Sequence, residues 1–468
     1  MFSFPEAARF LNTSLEHPDP SLSPQGISID TRTLKPGDFF LALQGTKEDG
    51  HRYLEEAFKR GASGALISRS VYQKETVRFQ NPSFKNLLPV ADTAEALAEL
   101  GKWHRRRFSI PVVGITGSVG KTSTKEFLSF LLREAEGSEA VLSNRGNFNN
   151  QLGLPISLLY LDKTHRCAVN ELGANHAGEI AYLATILQPT AGILTMVAPV
   201  HLEGFGSLET IYETKLGLIC SLPAGAPAVI PDHDEVIGKA VAALDVKALR
   251  VGTTAKADYR VTDARMEGEW VNFRLNGRWD FSFPGAAPFL AVNAAMALAM
   301  MEALGYSLDK LPSRWERMKL PDGRFTPKSL GQGIRVIFDA YNASPESFDK
   351  ALKAFHDWAG QRRKIVIFAD MLELGGEAEA RHRELGRKIA SGGFDAAFAY
   401  GSLAEKSIDE IKRAGGQAGH FNAPEALAAH LEDFLQPEDR LLLKGSRGMK
   451  LEKIFEALES RSRFKTAP

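Results

Sequence analysis

The sequence of 468 residues predicts an α/β protein built from three domains. Its length suits about three domains of ordinary size, each able to bury a core of its own. From residue 109 onward, apolar runs alternate with helical patterns, as expected of parallel strands joined by crossover helices. We expect a small mixed α/β domain over 1–108, a central parallel-sheet domain over 109–320, and a doubly wound, Rossmann-like domain over 321–468.

Short local patterns predict the individual elements. Residues 37–43 follow a Pro-Gly turn and predict a strand, 53–60 have helical spacing, and 65–67 predict a short buried strand. The later domains repeat the strand pattern more regularly. Their strands are predicted at 110–115, 167–172 and 192–197 in the central domain, and at 335–340, 365–369, 396–400 and 440–443 in the C-terminal domain.

A glycine-rich turn over 114–122 carries the strongest chemical signal. Gly-Ile-Thr-Gly-Ser-Val-Gly-Lys-Thr follows an apolar run and precedes a helical pattern over 123–132, the context of a phosphate loop in P-loop ATPases. Lys121 could neutralise a triphosphate and the Thr122 hydroxyl could hold Mg²⁺. Because Ile115 stands where the standard pattern has glycine, a plain turn followed by a surface lysine is the alternative. The predicted nucleotide-binding residues are Gly114, Thr116, Gly117, Ser118, Gly120, Lys121 and Thr122.

Composition excludes several classes of function. The 57 basic and 57 acidic residues give a formal net charge of +0, so nothing points to nucleic acid or an anionic membrane as a partner. Cys167 and Cys220 are too few for a disulfide framework and suit a reducing compartment. The sequence has no apolar run of about 18 residues, the length needed to span a bilayer. We therefore expect a soluble, cytoplasmic protein.

Polar side chains follow several predicted strands, where ligands collect in open parallel sheets. Glu171 ends a central strand and could bind Mg²⁺ directly or through water, although a capping or surface role stays open. His201 follows another strand, where a lone histidine is usually structural. Lys215 lies in a helical stretch, where a solvated lysine is the default.

Clusters of polar residues occur at four further positions. Four asparagines between 144 and 150 suit either turn chemistry or contacts with sugar hydroxyls and amides. Three motifs follow C-terminal strands: Asp339-Ala-Tyr-Asn-Ala-Ser-Pro345, Asp370-Met-Leu-Glu-Leu-Gly375 and Lys444-Gly-Ser-Arg447. Each could be an ordinary loop, but three in one parallel sheet predict a ligand crevice that faces the phosphate loop.

Together these motifs resemble the Mur ligase family, ATP-dependent enzymes that add amino acids to the peptidoglycan precursor. The family's variant loop, Gly-x-x-Gly-x-x-Gly-Lys-Thr/Ser, fits residues 114–122 and accounts for Ile115. The resemblance covers essentially the whole chain, including Asp30-Thr-Arg32, Gly37-Asp38 and Asp49-Gly-His51. The C-terminal motifs are similar to those of the member that joins D-alanyl-D-alanine to UDP-N-acetylmuramoyl-tripeptide. The Asp-Asn/Asp-Pro-Arg motif of the preceding ligase does not occur in this sequence.

Three positions depart from the family pattern. Phe289-Leu290 replaces the usual His-Asn before the retained Asn293, which leaves the adenine contacts open. Thr31 stands where serine is usual, and Ala369 where glycine is usual. The phosphate end of the site is unaffected by these changes.

The resemblance implies amide formation through an acyl phosphate, with ATP and Mg²⁺, in a monomeric enzyme. Implied catalytic residues are Lys121, His201 and Lys215, the last as a carbamylated lysine whose carboxylate orients a second Mg²⁺. Implied metal ligands are Thr122, Glu171 and His201, and implied further nucleotide contacts are Asn293, Arg324 and Asp339. Implied contacts to the UDP-muramyl tripeptide and D-alanyl-D-alanine are Thr31, Arg32, Thr46, Asn147, Asn149, Asn150, Asn342, Lys444, Ser446 and Arg447.

Two other functions compete with this one. A folate-polyglutamate-type ligase would share the central and C-terminal folds, but Asp30-Thr-Arg32 and Asp49-Gly-His51 argue against it. A regulatory ATPase would hydrolyse ATP without forming an amide. The sequence also leaves open whether the tripeptide ends in diaminopimelate or lysine.

Overall fold

The computed structural model describes residues 1–45, 48–144, 146–200, 202–461 and 464. The first domain has a parallel sheet in the order β1-β2-β3-β4, with apolar clusters on both faces; Phe39 packs in one cluster and Phe40 in the other. Its strands are β1 (Gly26–Ser28), β2 (Asp38–Leu41), β3 (Gly64–Ser68) and β4 (Leu87–Val90). Its helices are α1 (Phe4–Phe10), α2 (Leu54–Lys59), α3 (Arg69–Lys74), α4 (Thr76–Phe79) and α5 (Thr93–Arg105).

The central domain has a sheet in the order β13-β12-β11-β10-β9-β8-β5-β7-β6. Its strands are β5 (Val112–Thr116), β6 (Val141–Ser143), β7 (Cys167–Glu171), β8 (Ala191–Leu194), β9 (Ala226–Pro231), β10 (Val246–Gly252), β11 (Tyr259–Glu267), β12 (Trp270–Leu275) and β13 (Trp279–Pro284). Its helices are α6 (Lys121–Glu136), α7 (Gly153–Leu158), α8 (Glu179–Leu187), α9 (Leu202–Phe205), α10 (Leu208–Cys220), α11 (Glu235–Ala242) and α12 (Leu290–Ala303). Strands β5 to β11 pair in parallel, which brings their carboxyl ends to one edge.

The far edge of this sheet differs from the predicted parallel arrangement. Strands β11, β12 and β13 form an antiparallel meander instead. The turn between β12 and β13 contains Asn276 and Gly277, both with positive φ (53° and 66°), and Arg278 N–H donates to the Leu275 carbonyl. Asn-Gly is the strongest short hairpin signal because both residues tolerate this conformation. The dipeptide was a local signal that could have predicted this hairpin, which the expectation of a parallel sheet overlooked.

The C-terminal domain has a sheet in the order β14-β15-β19-β16-β17-β18, parallel apart from the edge strand β14. Its strands are β14 (Thr326–Ser329), β15 (Arg335–Asp339), β16 (Lys364–Ala369), β17 (Ala396–Tyr400), β18 (Ala418–Phe421) and β19 (Arg440–Lys444). Its helices are α13 (Pro345–Ala359), α14 (Ala378–Ser391), α15 (Ala404–Arg413), α16 (Pro424–Phe434) and α17 (Glu452–Ser460).

The strands and helices predicted from the sequence are confirmed, with ends shifted by a few residues. The predicted limits at 108/109 and 320/321 fall between the three sheets. None of the helices in the described part of the chain is long and apolar enough to cross a bilayer.

An aromatic cluster joins α6 to the antiparallel edge of the central sheet. Trp315 is fully buried at its centre, and its ring centroid lies 5.8 Å from Phe127, 5.6 Å from Phe281 and 6.1 Å from Phe283. Phe127 belongs to α6, the helix that begins at the phosphate loop. The cluster therefore supports the helix that carries Lys121.

We expect Trp315→Ala to lower the free energy of unfolding by about 3–5 kcal/mol, because it opens a large cavity in a closed aromatic cluster. Urea denaturation followed by circular dichroism measures this loss. Trp270→Ala is the control, since that ring is only partly buried and packs under Arg314. Equal losses in the two variants would contradict the central role of Trp315.

Candidate active site

The phosphate loop has a backbone that only glycine fits at two positions. Gly117 has φ +145°, and a Cβ there would lie 2.0 Å from Thr195 Oγ1. Gly120 has φ +94° directly before α6. The end of β8 holds the loop, since Ser118 N–H donates to the Met196 carbonyl (2.8 Å). These backbone conformations and the bond to Met196 form the loop that the sequence predicts.

Lys121 is the first residue of α6 and curls back over the loop. Its Nζ donates to the carbonyls of Gly117 (2.9 Å) and Ser118 (3.1 Å). Burial lowers the pKa of Lys121, Glu171 opposes that shift, and the Arg324 cation adds to it. The ammonium thus lies against the backbone of the loop, where it can meet phosphate oxygens.

Glu171 and Thr122 meet across the carboxyl edge of the sheet. The Thr122 hydroxyl donates to Glu171 Oε2 (2.7 Å), and Asn149 Nδ2 donates to Glu171 Oε1 (2.9 Å). Both Thr122 and Glu171 are buried. The hydroxyl and carboxylate oxygens form the donor set that Mg²⁺ takes together with phosphate oxygens and water.

A third group reaches this pair from the C-terminal domain. Arg324 Nη2 donates to Thr122 Oγ1 (3.0 Å), and its guanidinium carbon lies 3.8 Å from the centre of the Tyr341 ring. Arg324 Nε is buried and has no hydrogen-bond partner among the described residues. A guanidinium with unused donors beside a phosphate loop is suited to an anionic ligand.

One cavity of about 1070 Å³ lies between the central and C-terminal domains. It is lined by many residues that the sequence analysis singled out, from both domains. They are Ser118, Gly120, Lys121, Thr122, Asn147, Asn149, Asn150, Glu171, Arg324, Asn342, Ser446 and Arg447. The crevice predicted from the ends of the parallel strands is therefore present.

Other predicted nucleotide residues lie behind the cavity surface. Gly114 lies within β5, where a Cβ would come within 2.7 Å of Leu218 Cδ1. Thr116 is buried and donates to the Leu172 carbonyl (2.9 Å). Asn293 Nδ2 donates to Thr124 Oγ1 (3.0 Å) on α6. These residues support the loop through packing and hydrogen bonds.

Asp339 and Lys444 also support the site from behind. Lys444 Nζ donates to Asp339 Oδ2 (2.7 Å) and to the Asn342 carbonyl (3.3 Å). Asp339 Oδ1 accepts from Phe325 N–H (3.1 Å), next to Arg324. This ion pair therefore holds both the Asn342 loop and the segment that carries Arg324.

Lys215 is not the solvated lysine that statistics favour. Its side chain is 2% exposed on α10, and Nζ donates to the Ala174 carbonyl at the long distance of 3.4 Å. The ammonium lies 5.3 Å from the centre of the Phe205 ring. Burial, with Lys121 as a second cause, lowers the pKa of Lys215 to about 7. A large fraction of the amine is therefore neutral near neutral pH.

The remaining predicted substrate residues are in the first domain or outside the described residues. Thr31 is buried, and Arg32 is an exposed residue whose Nη2 lies 2.6 Å from Asp30 Oδ2. Neither lines the cavity described above. Thr46 and His201 lie outside the described residues.

Several cavity residues were not selected from the sequence. They are Asn175, His176, Glu179 and Asp322, which lie outside the motifs quoted above. Glu179 Oε2 accepts from the N–H groups of Asn175 (2.8 Å) and His176 (3.0 Å), so it shapes the loop after β7. The polar residues that follow the strand ending at Glu171 were the signal that could have found Asn175, His176 and Glu179.

The Asp370 motif faces the cavity only in part. Asp370 Oδ1 accepts from the N–H groups of Leu403 (3.2 Å) and Ala404 (2.7 Å), so the carboxylate caps α15. Leu372 and Glu373 are the members that line the cavity. The motif therefore combines a structural carboxylate with two surface side chains.

The chain matches a known family of proteins along most of its length. The phosphate loop and the cavity beside it define a nucleotide-binding site, and the family models identify an ATP-dependent ligase. Three family models match consecutive parts of the chain: "Mur ligase family, catalytic domain" over 24–105, "Mur ligase middle domain" over 115–301, and "Mur ligase, glutamate ligase domain" over 323–447. The chain belongs to the Mur ligase family.

Individual relatives are similar over nearly the whole length. The UDP-N-acetylmuramoyl-tripeptide–D-alanyl-D-alanine ligase of Escherichia coli K12 is 31% identical, with 96% of each chain covered. The ligase of the same name from Bacillus subtilis 168 is 30% identical, covering 92% of this chain and 93% of that protein. MurF from Acinetobacter baumannii has a crystal structure with a TM-score of 0.84 at 27% identity, covering 98% of this chain and 99% of that one.

The folate-type alternative is similar in fold alone. Folylpolyglutamate synthase of Mycobacterium tuberculosis, solved with ADP and AMPPCP, has a TM-score of 0.57 at 15% identity. That match covers 80% of this chain and 95% of that one. The MurF ligase of Thermotoga maritima, solved with ADP, gives a TM-score of 0.77 at 27% identity over 93% of this chain and 97% of that one.

The lowered pKa of Lys215 predicts how stability depends on pH. In the unfolded chain a lysine loses its proton near pH 10.4, about the ordinary value, whereas folded Lys215 does so near pH 7. The unfolded state therefore binds more protons between these values, and stability rises with pH across that window. Below that pH window Lys215 is protonated in both the folded and the unfolded chain, so folding bears the full cost of burying its positive charge.

We expect Lys215→Met to be more stable than the parent protein at and below pH 7, with a margin that shrinks toward about pH 10. Urea denaturation in carbon-dioxide-free buffer at several pH values measures the margin. A difference that stays constant with pH would mean that Lys215 titrates normally.

Proposed function

We propose that this protein is an ATP-dependent ligase that joins D-alanyl-D-alanine to UDP-N-acetylmuramoyl-tripeptide. One observation carries the proposal: a single cavity is lined by the phosphate loop and by Asn342, Ser446 and Arg447 of the C-terminal motifs. Relatives of that name, 30–31% identical to this chain, add support. We also propose that the enzyme works in the cytoplasm as a monomer.

In the first step, the free carboxylate of the tripeptide attacks the γ-phosphorus of ATP. A carbon-bound oxygen bonds to phosphorus, the bond from phosphorus to the β–γ bridging oxygen breaks, and ADP leaves with that electron pair. The carboxylate, a poor electrophile, becomes an acyl phosphate. Lys121 and Arg324 supply positive charge to the side of the cavity where negative charge gathers.

In the second step, the amino group of D-alanyl-D-alanine attacks the acyl carbon. The new carbon–nitrogen bond gives a tetrahedral intermediate, which collapses to the amide as phosphate leaves and the nitrogen loses a proton. Both reactants are anionic, so the site must hold them together against repulsion. We assign the dipeptide to Asn342, Ser446 and Arg447, which line the cavity, while Lys444 holds the Asn342 loop from behind.

Thr122 and Glu171 are the residues that we expect to hold Mg²⁺, with His201 as a further proposed ligand. The fit rests on the hydroxyl–carboxylate pair at 2.7 Å beside the phosphate loop. The described residues contain no cluster of three or more histidine, cysteine or acidic side chains that could hold a metal without the nucleotide. When bound, Mg²⁺ would neutralise and orient phosphate oxygens.

The asparagine loop and the first domain complete the proposed substrate contacts. Asn147, Asn149 and Asn150 line the cavity beside the phosphate loop, where amides can meet the muramyl peptide. We assign the UDP end to the first domain, through Thr31, Arg32 and Thr46.

The assay that tests the proposal follows phosphate release with ATP and each candidate acceptor. Release that requires both the muramyl tripeptide and D-alanyl-D-alanine, with formation of the pentapeptide product, is the expected result. Release driven by a folate and glutamate would select the folate-type ligase. Release with neither acceptor would select a regulatory ATPase.

We expect Lys121→Ala to lower the rate of ligation by about 100-fold or more, because the charge that stabilises the transferred phosphoryl group is lost. Phosphate release and circular dichroism on the same sample separate catalysis from folding. The exposed Lys59→Ala serves as the control variant. Near-normal turnover in folded Lys121→Ala would overturn the nucleotide assignment.

We expect Glu171→Gln to raise the Mg²⁺ concentration that gives half-maximal activity, because the substitution removes the negative charge and keeps the shape. A Mg²⁺ titration at saturating ATP measures the shift. An unchanged titration would show that Glu171 has only a structural role.

We propose that Lys215 is carbamylated: its neutral amine attacks the carbon of CO₂, a nitrogen–carbon bond forms, and the nitrogen loses a proton. The lowered pKa supports this step, since only the neutral amine reacts. We expect Lys215→Ala to lose most activity and to regain part of it with added acetate or another short carboxylate. Full activity of Lys215→Ala without any addition would refute the carbamate.

A further inference from the structure

Two buried polar residues lie directly behind Glu171. Lys125 is 2% exposed and lies on α6, one turn after Lys121. Asn144 is 1% exposed and follows the last residue of β6. Neither side chain is among the described residues that line the cavity. The function proposed above gives them no part.

The Lys125 ammonium is held by two groups. Its Nζ donates to the Asn144 carbonyl (2.9 Å) and forms an ion pair with Glu126 Oε1 (2.9 Å). Burying an ammonium is costly unless it is paired and hydrogen-bonded. Lys125 therefore fixes the backbone of Asn144 to the helix that begins at the phosphate loop.

The Asn144 side chain then pairs with the backbone of Glu171. Its Oδ1 accepts from Glu171 N–H (2.9 Å), and its Nδ2 donates to the Glu171 carbonyl (3.0 Å). Ser143 and Val169 form the last pair of the β6–β7 ladder, so the amide of Asn144 takes over where backbone pairing ends. The two bonds fix the position and direction of the residue that carries the carboxylate.

The same amide also closes the asparagine loop. Asn144 Nδ2 donates to the Phe148 carbonyl (3.0 Å), and the next residue, Asn149, donates to Glu171 Oε1 (2.9 Å). A single side chain thus connects the backbone of Glu171 to the loop that contacts its carboxylate. Displacement of Asn144 would move both the Glu171 backbone and this loop.

We propose that Lys125 and Asn144 form a positioning unit that sets the Glu171 carboxylate for binding of Mg²⁺ with the nucleotide. This inference rests on the proposed function for the identity of the ligand. Lys125 and Asn144 are positioning residues, because they act through Glu171. Groups that orient a metal ligand typically change metal affinity by about 10–100-fold when they are removed.

The test measures ADP binding by calorimetry as a function of Mg²⁺ concentration, without any peptide substrate. We expect Lys125→Met and Asn144→Ala each to raise the Mg²⁺ concentration for half-maximal ADP binding about tenfold. Binding of ADP without Mg²⁺ should stay within about twofold, because it does not use the carboxylate. A purely structural role would weaken ADP binding equally with and without Mg²⁺.

A double-mutant cycle with Glu171→Gln decides whether the effect passes through the carboxylate. If it does, adding Lys125→Met or Asn144→Ala to Glu171→Gln changes the Mg²⁺ dependence no further. Arg133→Met is the matched control: Arg133 also lies on α6 and donates to Ser143 Oγ (2.8 Å), one residue before Asn144. We expect Arg133→Met to leave the Mg²⁺ dependence unchanged.

Two results would overturn the proposal. One is an unchanged Mg²⁺ dependence in a folded Asn144→Ala protein. This variant keeps the bond from Lys125 to the carbonyl of residue 144, so it also tests the proposal if Lys125→Met does not fold. The other is an effect of equal size in the Glu171→Gln background. Failure of ligation with D-alanyl-D-alanine, alongside the expected ADP results, would refute the proposed function and leave the positioning unit standing.

Discussion

Parallel pairing between β5 and β7 is the constraint on which the site depends. Ile115 lies opposite Glu171 in that ladder, so the strand that enters the phosphate loop ends beside the carboxylate. The hydrogen bond from the Thr122 hydroxyl to the Glu171 carboxylate (2.7 Å) joins α6 to the end of β7 across this edge of the sheet. Since the neighbouring strands run in the same direction, loops from several strands collect around this pair.

Buried charge sets the energetics of the site. Lys215 is taken out of water without an ion pair in the described part of the chain, and burial lowers its pKa to about 7. Lys125 and Lys444, equally buried, each have a carboxylate partner. A carboxylate partner offsets the cost of burying an ammonium, whereas burial without one favours the neutral amine. The different surroundings thus give three buried lysines different chemistry.

Arg324 connects this edge to the C-terminal domain. It lies between Gly323 (φ +79°) and Phe325 (φ +56°), a conformation that a bulky residue keeps only when its surroundings hold it. Phe325 is buried against Phe289, and its N–H is bound by Asp339. Packing therefore fixes the backbone on both sides of Arg324, which places its guanidinium over Tyr341 and beside Thr122.

Local patterns in the sequence determined the strands, the phosphate loop and the polar residues at the strand ends, because these depend on periodicity and on glycine in a few tight turns. The turn at Asn276-Gly277 is also a local sequence signal, and it indicates the antiparallel edge of the central sheet. Only the tertiary structure decided that Asp370 caps a helix, that Lys215 is buried, and that Asn144 pairs with Glu171. Such pairings join residues far apart in the chain. Packing of the elements decides whether a polar side chain faces water, a partner or a ligand, and no local pattern specifies that packing.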